Sequence, residues 1–332
     1  MLRQNFTHVS EKAPLNNSGA SPRLRHHKKW DDDGVASTVG TIMALMVGMT
    51  LLSLFTGQYV PVWMEENEAS HMSSAYGQFA TLKQAVDMQI LAGSLQGTSQ
   101  VQMFTPVKLG AEGIPMFAAP TIGRLWLYRS NSYNNISFSF NTTVSVVNYT
   151  TATGGAIQLE VANRYFTPQK LIYESDALIL KQPDGEYMKA TPQFLITRAG
   201  GNTYIISYTQ VDLRGDDTDN TGSGTVGIQT TLRSVTTTTF TNLTDEAVLA
   251  LPYLYINQTS WFGQTWYSAF NQTLSSSGMR YGIDYDIVST VKYTKNFDVL
   301  TEVSVRINPA AISRFTLRTA IIELSTAEMG AA

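Results

Sequence analysis

Hydrophobic residues follow three successive patterns along the chain. Residues 35–64 form an apolar run without Asp, Glu, Lys, Arg or His. Residues 65–91 carry apolar side chains at spacings of three and four, and from Val101 onward apolar and polar residues alternate in many short segments. These patterns predict an apolar helix, an amphipathic helix and a β-rich domain, in that order.

The apolar run is long enough to cross a membrane, which takes about 20 mostly apolar residues. Trp30 precedes it, and Tyr59 and Trp63 lie at its end, where aromatic rings favour the headgroup level. A buried core helix rarely reaches this length without a charged residue. We therefore predict a transmembrane helix at residues 35–63, with the lipid bilayer as its partner.

The flanking charges predict how the helix is oriented. The basic residues that precede it are Arg23, Arg25, His26, His27, Lys28 and Lys29, and acidic residues follow at Glu65, Glu66 and Glu68. Positive charge is retained in the cytoplasm, so the N-terminus is predicted to be cytoplasmic and the C-terminal domain extracellular. A cleaved secretory signal fits poorly, because its apolar region spans only about 7–15 residues. The expected location is a single-pass position in the cell membrane.

The predicted organisation has four parts. They are a cytoplasmic leader or tail at 1–34, the transmembrane helix at 35–63, an extracellular amphipathic helical stalk at 64–95 and a β-rich extracellular domain at 96–332. Pro61 is expected to bend or end the first helix, and Gly93 and Gly97 to end the stalk. The apolar stripe of the stalk must be covered by the following domain or by a neighbouring subunit. It contains Met72, Ala75, Phe79, Leu82, Val86 and Ile90.

The remainder of the chain reads as antiparallel strands. Ile136, Phe138 and Phe140 alternate with polar residues, as in a half-buried strand. Many such segments separated by Gly and Pro predict a large sandwich-like domain, so the fold class is α+β. Ser260–Leu274 interrupts the pattern and predicts a helix that covers a sheet, with Ser260 as its N-cap.

The start of the apolar helix carries a family resemblance. Gly34-Val35-Ala36-Ser37-Thr38-Val39-Gly40, running directly into the helix, resembles the class III signal of archaeal type IV pilin-like membrane proteins. That resemblance implies cleavage by a prepilin peptidase between Gly34 and Val35, although three aspartates stand where Lys or Arg usually precedes the cut. Residues 163–182 also resemble uncharacterised haloarchaeal pilin-like surface proteins.

Small residues recur on one side of the apolar helix. Ala36, Gly40, Ala44 and Gly48 follow one another at intervals of four and form a ridge along which another helix can approach closely. The ridge predicts self-association or packing with other pilin-like subunits. Small residues are also common in membrane helices that do not associate.

Composition excludes several functional classes. Residues 35–332 hold 17 Lys/Arg and 22 Asp/Glu and show no basic patch, so we expect no nucleic-acid partner. The chain contains no Cys, and its four histidines (His8, His26, His27 and His71) precede the β-rich domain. Zinc sites and Ser-His or Cys-His nucleophiles are therefore not expected there, and we predict no enzyme, cofactor, metal or catalytic residue.

Three sets of residues in the β-rich domain are candidates for surface chemistry. Asp216–Asp219 lies in a Gly-rich loop that is either a calcium site with an incomplete ligand set or a solvated hairpin tip. Six aromatic residues either stack on sugars or, more commonly, fill the core: Tyr253, Tyr255, Trp261, Trp266, Tyr267 and Phe270. Six acceptor triplets predict N-glycosylation, at Asn135, Asn141, Asn148, Asn242, Asn257 and Asn271.

The sequence thus supports a structural function first. We expect a pilin-like, single-span cell-surface subunit or anchor that displays a glycosylated β-rich head and assembles through its N-terminal helix. The alternative is a membrane-anchored binding or adhesion module for polysaccharide or surface-layer components. An anchored hydrolase has no supporting set of residues.

Overall fold

The computed structural model describes residues 32–96, 101–129, 133–142, 149–241, 243, 252–295 and 298–328. The chain divides into two compact units, Met1–Ser53 and Leu54–Ala332. The described part of the first unit is helical: α1 spans Asp32–Leu54. The large apolar side chains between Val39 and Leu54 are 50–64% exposed.

We expected Pro61 to bend or end the helix, and helical structure does not end there. One π-helical turn, Phe55–Tyr59, is followed by α2 at Val60–Gln96. The wider turn ends where the Val60 N–H donates to the Phe55 carbonyl. A local widening of this kind accommodates a proline, which has no N–H and clashes with the carbonyl four residues before it.

The described part of the second unit contains the π-helical turn, α2, sixteen strands, a second α-helix, α3 (Gly263–Ser276), and a short 3-10 helix at Pro309–Ala311. The strands are β1 Gln102–Lys108, β2 Gly123–Tyr128, β3 Asn135–Phe140, β4 Tyr149–Gly154, β5 Ala156–Val161, β6 Gln169–Glu174, β7 Ala177–Gln182, β8 Gly185–Ala190, β9 Phe194–Gly200, β10 Thr203–Gly215, β11 Thr218–Gly222, β12 Thr225–Phe240, β13 Leu254–Ser260, β14 Tyr285–Lys295, β15 Asp298–Ile307 and β16 Ile312–Glu328.

These strands form three sheets rather than the two of a simple sandwich. The first has the order β1-β12-β16-β10-β9, the second β11-β2-β5-β6-β7-β8 and the third β14-β15-β13-β3-β4. The pairs are antiparallel except for β10 with β16, which run parallel in the middle of the first sheet. The predicted antiparallel β-rich domain is thus confirmed in outline, whereas the parallel pair was not predicted.

The two central strands of the first sheet serve two hydrophobic cores. Tyr204, Ile206 and Tyr208 of β10 face the core that α3 and the third sheet complete. Val211 and Leu213, on the opposite face of the same strand, lie in the core that α2 and the second sheet complete. The strand is therefore buried on both faces near its middle.

The apolar stripe of α2 is covered by the following domain. Met72 is 3% exposed, and Ala75, Phe79, Leu82, Val86 and Ile90 are each 0–1% exposed within the second core. Of the two alternatives for the predicted stalk, the first therefore applies: the helix is part of the head. Gly93 does not end it, because α2 continues to Gln96. A Cβ on Gly93 would lie 2.5 Å from the Leu232 Cδ2, so glycine permits close packing there.

Glu68 fixes α2 to the loop between β5 and β6. Its buried carboxylate accepts the backbone N–H groups of Arg164, Tyr165 and Phe166 at 2.7–3.1 Å and the Thr121 hydroxyl at 2.5 Å. Burial alone would raise the pKa of Glu68, but these hydrogen bonds outweigh burial and hold the pKa below its usual value.

A second polar contact lies farther along the helix. The Lys83 ammonium is 2.8 Å from the buried Asp176 carboxylate and 3.3 Å from Asp87. Asp176 also accepts the Gln193 N–H at 2.9 Å. Burial raises the pKa of Asp176, and the Lys83 charge opposes that rise. Two points on the helix, near its start and in its second half, are thus held to the β domain by hydrogen-bonded charges as well as by apolar packing.

Candidate functional site

A groove lined by aromatic rings and lysines lies where the second and third sheets meet. It consists of two adjoining cavities, of about 260 and about 610 Å³, which share Gln158, Trp261, Phe262 and Lys295. The smaller one is completed by Lys170, Lys181 and Asp298, and the larger by Tyr128, Tyr133, Asn134, Lys292, Tyr293 and Leu300. We call this feature the Trp261 groove.

Aromatic rings form one wall of the groove. The Trp261 and Tyr133 rings are stacked, with centroids 6.3 Å apart and planes 22° apart. Tyr293 meets Trp261 edge-on at 6.5 Å. Tyr133 and Tyr293 are each 52% exposed, whereas Trp261 packs partly against the first core. The core therefore holds the central ring while its neighbours face solvent.

Lysines supply the charge of the groove, and three of them are paired. Lys181 is 2.9 Å from Asp298, Lys170 is 3.1 Å from Glu160 and Lys292 is 2.9 Å from Glu302. Within the described residues, no carboxylate pairs with Lys295, which lines both cavities. The groove thus combines ring faces with a modest excess of positive charge.

A buried glutamate supports the turn that carries Trp261. Glu174, at the end of β6, accepts the Ser260 hydroxyl at 2.5 Å and the Trp266 indole N–H at 2.7 Å through the same oxygen. Ser260 in turn accepts the Phe262 N–H at 3.0 Å. Burial raises the pKa of Glu174 to about 7, although both hydrogen bonds act to lower it. These contacts join strand, turn and helix behind the groove.

The first residue of α3 is a glycine for a steric reason. A Cβ on Gly263 would lie 2.5 Å from the Cβ of Thr301, so only glycine allows the turn to lie this close to β15. Our prediction that Ser260 caps the helix is wrong, because Phe262 occupies the N-cap position without a side-chain cap. The Ser260 hydroxyl instead links the turn to Glu174. The predicted helix itself is present and buries Trp266, Phe270 and Leu274.

The structure separates the six aromatic residues singled out in the sequence. Trp266 and Phe270 are buried in the core, while Tyr267 packs at its margin. Tyr253 and Tyr255 form an edge-on pair with centroids 6.0 Å apart, and Tyr253 lines a different cavity beside Asp284 and Arg306. Of the six, Trp261 alone lines the groove.

Sequence reasoning missed the other aromatic residues of the groove. Tyr133 and Tyr293 were not singled out, and neither were the lysines of β14. A signal was present in Lys292-Tyr293-Thr294-Lys295, where an aromatic ring stands between two cations on an exposed strand. This segment indicates a binding surface only together with Trp261, and the two are brought together by the fold.

The acidic loop is engaged with arginines. Asp219 accepts from the Arg124 guanidinium through both carboxylate oxygens. The Asp217 carboxylate accepts the backbone N–H of Arg129 at 2.8 Å and lies 3.9 Å from the Arg129 Nε. Asp219 belongs to β11, which pairs with β2. Among the described residues there is no group of three or more His, Asp or Glu side chains arranged to hold a metal ion.

The predicted glycosylation sites differ in exposure. Asn135, Asn257 and Asn271 are half-buried, and Asn271 accepts the Tyr285 hydroxyl at 2.9 Å. Asn141 is 8% exposed, so we no longer expect a glycan at that position. Asn148 and Asn242 lie outside the described residues.

The N-terminal sites all fall on α1. Gly34 and Val35, the residues of the predicted cleavage, lie in its first turn. The ridge residues Ala36, Gly40, Ala44 and Gly48 are exposed, and a Cβ on either glycine would meet nothing within 4 Å. His71, on α2, is buried beside the Lys108 carbonyl at 2.9 Å, and the other histidines lie outside the described residues.

No protein-family model matches the chain, and comparisons with curated proteins and with solved structures likewise gave no match. The proposals below therefore rest on the residues and geometry described above.

Proposed function

We propose that this chain is a single-span membrane protein that displays its β-rich head at the outer cell surface. The observation that carries the proposal is the N-terminal helix. Within the described residues, Ala36–Leu95 is the one helix with a stretch long and apolar enough to cross a membrane, and no part of that stretch is buried. Apolar side chains that the described residues leave exposed need lipid or another apolar helix around them.

The transition from exposed to buried apolar residues also supports the proposal. Leu54 is 54% exposed, whereas Val60 is 4% exposed and Met64 is fully buried. Lipid would thus surround residues up to about Leu54, and the head begins within the next few residues. The basic cluster before the helix favours a cytoplasmic N-terminus.

The surface function that we propose is structural: a pilin-like subunit or anchor that associates through its N-terminal helix. The open space beside Gly40 and Gly48 supports close approach of a second helix. The Trp261 groove favours a second function, a membrane-anchored binding module. Its exposed aromatic and lysine side chains are suited to contact a ligand and do not fill the hydrophobic core.

Extraction of membranes with strongly alkaline carbonate tests the anchor. We expect the parent chain to remain in the membrane pellet. In a double variant, Met46→Lys with Met49→Lys, two charges would enter the centre of the span at a cost of roughly 3 kcal/mol each, and the chain should lose its membrane association.

The matched control is Met46→Leu with Met49→Leu, which keeps the helix apolar and should behave like the parent. Both methionines are more than 60% exposed, so neither pair of substitutions disturbs the packing of the head. Release of the parent chain by carbonate would overturn the proposed anchor.

A further inference from the structure

We propose that the Trp261 groove binds an acidic polysaccharide, a chain of sugars that carries carboxylate or sulfate groups at intervals. This inference deepens the binding alternative and rests on the proposed function only in placing the head outside the cell. The relevant features are the aromatic wall, Lys295, which has no carboxylate partner among the described residues, and the buried hydrogen bonds behind Trp261.

The aromatic wall suits sugar rings. The face of an aromatic ring carries partial negative charge, and the C–H groups on one face of a sugar carry slight positive charge, so the two pack against each other. The planes of the Trp261 and Tyr133 rings are only 22° apart, and both rings line the larger cavity, so it offers two nearly parallel rings for sugar packing. Tyr293 stands nearly perpendicular to Trp261 and bounds this surface on one side.

The charged side chains of the groove indicate a ligand with widely spaced negative charges. Lys170, Lys181 and Lys292 are paired with carboxylates, which leaves Lys295 as the lysine without such a partner among the described groove residues. Single-stranded nucleic acid carries a phosphate on every nucleotide and is bound along strongly basic channels. One unpaired ammonium beside ring faces fits an acidic sugar better.

The groove is also held in shape before a ligand arrives. Glu174 links Ser260 and Trp266, and Gly263 lets the turn approach Thr301 closely. The larger cavity, of about 610 Å³, falls within the usual range for ligand sites, and the adjoining smaller one extends the groove past Lys181. An extended ligand can therefore occupy both.

Titration of the purified full-length chain in detergent micelles tests the proposal. The probes are polygalacturonate, dextran sulfate, neutral dextran and oligothymidylate, and calorimetry reports binding. We expect binding to at least one of the two acidic polysaccharides, weaker at high salt, with neutral dextran bound at least about fivefold more weakly. The two acidic probes distinguish carboxylate from sulfate recognition.

Variants locate the binding to the groove. Trp261→Ala should weaken binding by about tenfold, whereas Trp261→Phe, which keeps a ring, should retain most of it. Lys295→Ala should weaken binding by about two- to fivefold. Its matched control is Lys189→Ala, an exposed lysine outside the groove, which should leave binding unchanged.

Several results would overturn the proposal. They are no binding to either acidic probe, equal binding to neutral dextran, tighter binding to oligothymidylate, and full binding by a folded Trp261→Ala variant. Failure of the membrane anchor is a separate outcome, because carbonate extraction measures it without a ligand.

A different observation carries a second proposal: we infer that the loop Ile114–Ala118 enters the lipid headgroup layer. Backbone N–H groups of Phe117 and Ala118 donate to the Ile114 carbonyl at 2.9–3.0 Å, forming a tight turn. Met116, at φ 68°, projects from its tip and is 99% exposed. An apolar side chain this fully exposed at the tip of a tight turn is suited to lipid.

The position of the loop supports this assignment. The Phe117 ring contacts the Phe55 ring at 5.1 Å, and Phe55 also contacts Tyr59 and Trp63 at 6.0 and 5.6 Å. The loop therefore adjoins the aromatic residues at the end of the proposed span, where aromatic rings favour the membrane interface. This inference rests on the proposed span.

Fluorescence quenching tests the loop in vesicles that contain brominated lipids. A tryptophan introduced by Met116→Trp should be quenched, while one introduced at an exposed strand by Tyr187→Trp should not, each measured against the parent signal. Equal quenching of the two would overturn this second proposal and leave the anchor proposal standing if the chain resists carbonate extraction.

Discussion

The replacement Glu174→Gln should remove a large part of the pH dependence of folding stability. Glu174 is fully buried and its pKa is raised to about 7, mainly by burial, against an ordinary value of 4.5. The folded protein then binds the proton more tightly than the unfolded chain. Stability contributed by this group is complete below about pH 4.5 and is lost as the pH rises to about 7.

The magnitude follows from the size of the shift. A difference of roughly 2.5 pKa units corresponds to about 3 kcal/mol of unfolding free energy. Glutamine resembles the neutral acid and can still accept from Ser260 and Trp266, so the variant should not lose this energy. Glu68 and Asp176 titrate equally in both proteins, and their contributions cancel in the comparison.

The assay is urea unfolding of the full chain in micelles, followed by far-ultraviolet circular dichroism at about pH 5 and about pH 8. On going from about pH 5 to about pH 8, the unfolding free energy of the variant should rise by about 3 kcal/mol relative to that of the parent. Asp184→Asn, which changes an exposed carboxylate in a turn, should keep the parental slope. Parallel pH profiles for parent and Glu174→Gln would refute the assigned role of burial.

Three further outcomes are expected. Glu68→Ala should destabilise the head by at least about 3 kcal/mol, because it leaves the buried Thr121 hydroxyl and partly buried backbone N–H groups without their acceptor. Glu65→Ala, at an exposed position, should change stability by less than about 0.5 kcal/mol in urea unfolding. Replacing Gly40 and Gly48 with Leu should leave the membrane level intact but abolish cross-linked oligomers; unchanged cross-linking would count against the ridge. Chelation of calcium should leave the melting temperature of the head unchanged, since the Asp216–Asp219 loop pairs with arginines, and a clear drop would contradict that assignment.

The helices could be predicted from the sequence because one dominant pattern determines each of them. The stripe of α2 showed which of its residues are buried. It did not show what Glu68 and Lys83 do, although both are buried beside stripe positions. A charge in register with an apolar stripe indicates a buried partner, but the partners Phe166 and Asp176 lie about a hundred residues away and only the fold identifies them.

The sheet arrangement could not be predicted for a related reason. Alternation predicts where strands lie, but it carries no information about which strands pair, such as β10 with β16. Their parallel pairing joins segments more than a hundred residues apart. The same holds for the groove, where Trp261 follows β13 and Tyr293 lies on β14. The local sequence pattern singled out Trp261, whereas Tyr133 and Tyr293 lie beside it only because of long-range packing.

Sidedness of the membrane tests the central claim most directly. The chain contains no cysteine, so single cysteines can be introduced as Ser18→Cys in the N-terminal segment and Ser289→Cys on exposed β14. A membrane-impermeant maleimide added to intact cells should label Ser289→Cys and spare Ser18→Cys. After lysis Ser18→Cys should also react in chains that retain residues 1–34. Labelling of Ser18→Cys alone, or of both before lysis, would contradict a single span with an external head.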